Sequence, residues 1–178
     1  MRAYPIAAAL LTAAALTACS SGEQQAAPPK PSPSSTPPKP GSTCALLSAS
    51  EVSKAINIPG LTEKPGPSQD NASNGGKATS CEYLLDGKPA GALAVTRFEG
   101  RQADPAAMVD AIKKAKPGAV DVGGFPSGAV YYVDQQKTAT LAAAKTVNGV
   151  PVLVNYTGPV KMTQQMMIPL VKTALTAV

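Results

Sequence analysis

TATLAAAKTVNGVPVLVNYT, residues 138–157, decides the fold. Asn148-Gly149 at its centre is the pair selected by a two-residue hairpin turn, because both central positions need positive φ and Asn and Gly reach it at low cost. The flanking residues alternate. On the second arm Val150, Val152, Val154 and Tyr156 share one face, and on the first Thr138, Thr140 and Thr146 oppose Ala139, Leu141 and Val147. Two antiparallel strands follow, 138–147 and 150–157, the first with a polar face.

Working outward, residues 128–134, with Tyr131 and Tyr132, read as a third strand of the same meander. Residues 79–85 and 91–98 read as two more, joined through the Asp86-Gly87 turn into a hairpin. Three helices separate or close these strands. The first starts at Ser48, where Ser followed three residues later by Glu51 is a capping box, and stops before Pro59-Gly60. The second starts at Asp104-Pro105, an N-cap with proline at the first helical position, and ends at Pro117-Gly118. Met108, Ile112 and Ala115 are its inward stripe, with Asp110, Lys113 and Lys114 turned to water. The third covers 162–177, with Pro169 kinking it or marking its true start. Its Met166-Met167 pair reads as core packing, with an adaptable ligand surface as the alternative. Residues 62–77 contain Pro65-Gly66-Pro67 and Asn74-Gly75-Gly76 and read as a long exposed loop. The expected fold class is α+β: a single domain over 44–178, an antiparallel sheet of about five strands with helices packed on it.

Aromatics are only 4% of the chain and Trp is absent, so Ala, Val and Leu must fill the core with small, closely fitted side chains. The net charge is +5, and Arg2, Lys30, Lys39 and Glu23 lie outside 44–178, which leaves the domain at about +3. Without an Arg/Lys block, that surplus does not argue for nucleic acid as a partner.

The beginning of the chain addresses location. Arg2 precedes an apolar run that ends at Leu16-Thr17-Ala18-Cys19. The pattern is that of a secretory signal peptide, too short for a membrane span of about 20 apolar residues. Leu, a hydroxylated residue, Ala and Cys in that order resemble the lipobox of bacterial lipoproteins. The resemblance implies a signal peptide over 1–18, cleavage before Cys19, and a diacylglyceryl group on the Cys19 thiol. The protein would then sit on the extracytoplasmic face of a membrane through its lipid. Residues 19–43 are rich in Pro and Ser and contain no large apolar side chain, so they read as a disordered linker with a reach of roughly 30–70 Å.

With Cys19 assigned to lipid, Cys44 and Cys81 remain, and in an exported domain such a pair is expected to form a disulfide. A loop of that length gives about 4 kcal/mol by chain-entropy arithmetic.

The catalytic inventory is thin. The chain has no histidine, which excludes Ser-His-Asp and Cys-His machinery and His-based metal sites. Gly-x-Ser-x-Gly, Gly-x-Gly-x-x-Gly, Ser-x-x-Lys and a P-loop are all missing from the sequence. The carboxylates Glu82, Asp86, Asp121 and Asp134 stand singly beside turns and strand ends, and Glu82, inside a strand, is the most credible acid or base. No catalytic, cofactor-binding or metal-binding residue is assigned.

Cys44-Ala45-Leu46-Leu47-Ser48-Ala49-Ser50-Glu51-Val52, the later Cys81-Glu82-Tyr83, the lipobox and the Pro/Ser tail together resemble the actinobacterial lipoproteins of the domain-of-unknown-function 3558 family. Members open on Cys-x-Leu-Leu, a short turn and Glu-Val. They often carry Gly-Leu-Gly-Asp-x-Ala before the third strand, where this chain has Gly124-Phe125-Pro126-Ser127-Gly128-Ala129. The resemblance implies an exported, anchored α+β domain of Mog1/PsbP-like architecture and no established catalytic residues. Two function classes stay open. One is a non-catalytic binding module of the cell envelope, with an envelope protein, a wall polymer or a small apolar ligand as partner. The other is an envelope hydrolase working with carboxylates alone.

Overall fold

The computed structural model describes residues 41–71 and 75–178. The signal peptide, Cys19 and the linker up to residue 40 lie outside the described residues, as does the Asn74 part of the expected turn at 74–76.

The domain is α+β, one antiparallel sheet with helices on both faces. A 3-10 turn, Thr43–Leu46, leads into α1, Ala49–Ile56. The strands β1, Leu61–Pro65, β2, Gln69–Asn71, β3, Gly76–Leu85, and β4, Lys88–Phe98, follow. Then come α2, Pro105–Ala115, β5, Val120–Val122, β6, Ala129–Val133, β7, Thr138–Val147, β8, Val150–Pro159, and α3, Gln164–Ala177. The sheet has 8 strands in the order β1-β3-β4-β8-β7-β6-β5, with β2 also on β3.

The central hairpin folds as its residues dictate. Asn148 and Gly149 have φ of 50° and 79°, and Val147 pairs with Val150 at the turn. At α1 both halves of the capping box form, Glu51 N–H to Ser48 Oγ and Ser48 N–H to Glu51 Oε2. Asp104 caps α2 through the Ala106 amide, with Pro105 at the first position. α3 begins at Gln164 and keeps Pro169 inside it.

Five strands was too few. Residues 62–77 are not a free loop: most of β1 and all of β2 lie in that stretch and pair with β3, and β5 adds a third short strand at the other edge. All three are 5 residues or fewer and half-exposed or exposed along most of their length, so they carry little hydrophobic alternation. They form because β3 and β6 offer unpaired backbone. β1 is further tied by Glu63, whose carboxylate accepts from the Ala49 amide at the start of α1.

One face of the sheet packs against α1, α3 and the 3-10 turn. Val52, Leu47, Met167, Leu170 and Val171 meet Tyr83, Leu93, Leu141, Val154 and Tyr156 there. On the other face α2 lies on β6, β7 and β8. The buried residue of α2 is Val109, with Ile112 beside it, rather than Ala115, which is exposed. Val109 seats on Val130, Ala142 and Ala144, small enough to let the helix approach. The face of β7 expected to be polar is therefore buried along 140–144.

The chain comes into the domain at Thr43, buried, its hydroxyl 2.6 Å from that of Thr79. Cys44 and Cys81, 2% and 0% exposed, are joined as a disulfide, as the exported-domain reading anticipates. Next to them Tyr83 donates a hydrogen bond of 2.6 Å to the carbonyl of Leu47, which holds the lead-in to α1 on β3. Among the described residues no helix is long and apolar enough to cross a membrane.

Candidate functional site

β4 and β8 are central neighbours, paired from Ala92↔Thr157 to Arg97↔Val152. Beyond Ala92 and Thr157 they part. The next residues of β4 stay with β3, where Gly91 pairs with Tyr83 and Pro89 with Leu84. Gly158 and Pro159 of β8 stay with Ala139 and Thr138 of β7. Two features of the sequence open this gap. Pro89 and Pro159 have no N–H to give a ladder, and the register between β3 and β4 slips between Tyr83 and Leu84, with Ala90 as the extra residue of a bulge that bends β4 away.

Two glycines complete the opening. A Cβ on Gly91 would sit 2.3 Å from the Tyr156 hydroxyl, and a Cβ on Gly158 would sit 2.2 Å from the Met162 sulfur. Each glycine thus leaves room for a large side chain against the strand. Tyr156 is fully buried and stacks on Tyr83 with ring centroids 5.9 Å apart. Its hydroxyl has no hydrogen-bond partner among the described residues. Burial pushes both phenols well above the usual tyrosine range, and for Tyr83 the neighbouring Tyr156 adds to the effect.

On the helical face, the gap opens into a groove of about 380 Å³. Its walls are Ile56 and Ile58 from the end of α1, Leu85 from β3, and Met162 and Met166 around the start of α3. Pro89, Ala90 and Pro159 form the sheet side, and Asp86, Lys88 and Lys161 stand at its margin. That size falls within the range of small-ligand pockets, and an apolar lining with a few charges at the mouth is their usual composition. The two sides of the Met166-Met167 pair divide the alternatives read from sequence: Met167 is fully buried in the core, and Met166 lines the groove. A smaller hollow of about 290 Å³ lies at the same end of the sheet and shares Pro89, Ala90 and Pro159, with Glu82 at its border.

Glu82 does not stand alone. Its carboxylate is 3.1 Å from Lys64 Nζ on the paired strand, and the two side chains are 34% and 56% exposed. Asp121 is engaged by Lys113, and Asp134 accepts from the Thr138 amide in the turn before β7. Among the described residues no cluster of three or more His, Cys, Asp or Glu side chains is placed to hold a metal ion. The structure joins Cys44 and Cys81, and Glu82, the next residue of β3, is partly exposed and paired with Lys64. Sequence reasoning missed the groove. Its signals were Pro89, Gly91, Gly158 and Pro159, residues that are anomalous inside strands.

No family model matches the chain, and no curated protein does. Among solved structures, the crystal structure of the extracellular domain of PknH from Mycobacterium tuberculosis is similar, with a TM-score of 0.42 at 19% identity over 74% of this chain and 92% of that one.

Proposed function

We propose that this protein is a lipid-anchored, extracytoplasmic binding module without catalytic activity, and that the groove between α1, α3 and the β3–β4 hairpin is its ligand site. The groove carries the reading. It is the place where the sheet gives up backbone pairing, and it keeps apolar side chains half-open to solvent instead of closing over them. Burying such surface on a ligand is favourable at about 25 cal/mol per Å², and the two methionines can repack around different shapes.

The anchoring rests on the Leu16-Thr17-Ala18-Cys19 motif and on the resemblance of 44–52 and 81–83 to the exported family named above. A disulfide between Cys44 and Cys81 agrees with an oxidising compartment. The non-catalytic reading is supported by Glu82, the best carboxylate candidate, being paired with Lys64 at a solvent-exposed site. The test is to purify the protein from its own membranes, extract it with organic solvent and identify co-purifying small molecules by mass spectrometry. An apolar molecule present with the wild type and lost when Ile58→Trp fills the groove is the expected result. Turnover of an envelope substrate that disappears in Glu82→Gln with the fold intact would overturn the proposal in favour of a hydrolase.

A further inference from the structure

The mouth of the groove is more cationic than the rest of its lining. Lys88 stands on the first residue of β4, and Lys161 in the turn between β8 and α3. Both are exposed, and neither takes part in an ion pair among the described residues. Asp86 is the single acidic residue at the margin, so the mouth carries one net positive charge. The start of α3 adds to it. Met162 and Met166 lie on either side of that helix start, its first turn contains no acidic residue, and the Thr163 side chain makes no capping hydrogen bond. The positive end of the helix macrodipole is therefore unmet at the same mouth.

Behind the charges the groove is apolar, and its size limits what fits. Its volume of about 380 Å³ stands at the lower end of the range of small-ligand pockets. A groove of that size suits a single alkyl chain of medium length. A monoanion matches one net positive charge, and a cationic head would face two lysines and a helix N-terminus.

We infer that the groove binds a single-chain fatty carboxylate of medium chain length, the chain laid along Ile56, Leu85, Met162 and Met166 and the carboxylate held between Lys88 and Lys161. This rests on the groove being the ligand site. It adds the class of ligand.

Isothermal titration calorimetry of the full chain, made non-lipidated by Cys19→Ser, tests it with octanoate, decanoate, dodecanoate and tetradecanoate, and with dodecanol and dodecylammonium, all below their micelle concentrations. The expected affinity rises up to about fourfold per added methylene, from ~0.8 kcal/mol for each one buried, and levels off within the series once the chain outgrows the groove. Lys88→Glu with Lys161→Glu should weaken dodecanoate at least tenfold and leave dodecanol unchanged. Ile58 is 38% exposed, so Ile58→Trp alters the groove without disturbing the core, and it should abolish binding of every chain. Dodecanol or dodecylammonium binding as tightly as dodecanoate would overturn the carboxylate assignment and leave the groove as a site for other apolar ligands. Unchanged dodecanoate binding in Ile58→Trp would overturn the placement. Absence of binding by all six compounds would overturn both this inference and the ligand-groove reading beneath it.

Discussion

Removing the hydroxyl of Tyr83 and removing that of Tyr156 should have different consequences, although the two phenols stack on each other and are equally buried. The Tyr83 hydroxyl donates to the Leu47 carbonyl at 2.6 Å, and Leu47 is itself fully buried. Tyr83→Phe takes away that donor and leaves a carbonyl that water cannot easily reach. A buried group stripped of its partner costs about 1–3 kcal/mol. The Tyr156 hydroxyl has no partner among the described residues, so Tyr156→Phe orphans nothing in the protein. It should be within ~0.5 kcal/mol of wild type or slightly stabilising, because a hydroxyl without a protein partner is removed from an apolar site. For a domain of this size 1 kcal/mol is worth about 3–4 °C, so Tyr83→Phe should lower Tm by roughly 3–12 °C and Tyr156→Phe by less than about 2 °C. Urea unfolding followed by circular dichroism checks this independently, with a lower midpoint at unchanged slope for Tyr83→Phe. The double variant should cost close to the sum, since only one of the two hydroxyls makes a bond. Equal losses in the two single variants would refute the reasoning and show that the Tyr156 hydroxyl is as well engaged as that of Tyr83.

Cys44→Ser with Cys81→Ser should destabilise the domain by about 4 kcal/mol, measured as a fall in Tm of at least ~10 °C, and wild type treated with reductant under denaturing conditions should refold to the same lower value. Stability should drain away above pH ~10. The folded phenols of Tyr83 and Tyr156 have raised pKa values, so their contribution is whole below the unfolded value of about 10 and falls as pH rises past it, by about 1.4 kcal/mol per pH unit for each tyrosine; a flat urea midpoint between pH 9.5 and 11 would contradict this. Cys19→Ala should leave the precursor uncut or release the protein into the detergent-poor phase on phase partition, and partition identical to wild type would remove the lipid anchor.

The elements legible in the sequence are those whose signals are local. Asn148-Gly149 carries its turn in two residues, and Ser48 with Glu51, or Asp104 with Pro105, carries a helix start in four or fewer. β1 was not legible because Leu61-Thr62-Glu63-Lys64-Pro65 is polar, ends in proline and has meaning only beside β3. β5 has three residues, of which Val122 alone is buried. On α2 the apolar stripe was placed one residue off at Met108, because periodicity in a short helix does not say which side meets the small platform of Ala142 and Ala144. The groove was the least legible feature. It comes from two strands distant in sequence parting at Ala92 and Thr157, and neither Pro89 nor Pro159 announces alone that the other stands close by.

The cross-link beside the point where the chain comes into the domain has a mechanical meaning. If tension reaches the domain along the segment before Thr43, it passes from Cys44 into Cys81, and so into the middle of β3, without running through α1. The 37-residue span from Cys44 to Cys81 holds α1, β1 and β2 inside a closed covalent loop. No pull can draw that loop out while the bond is intact. At up to ~3.6 Å per residue it hides about 130 Å of contour length from a stretching experiment. Leu85 and the groove sit four residues farther along β3 than Cys81, about 13 Å from where the load arrives at ~3.3 Å per residue. Reduction of one bond would turn a short, stiff handle into a long, compliant one.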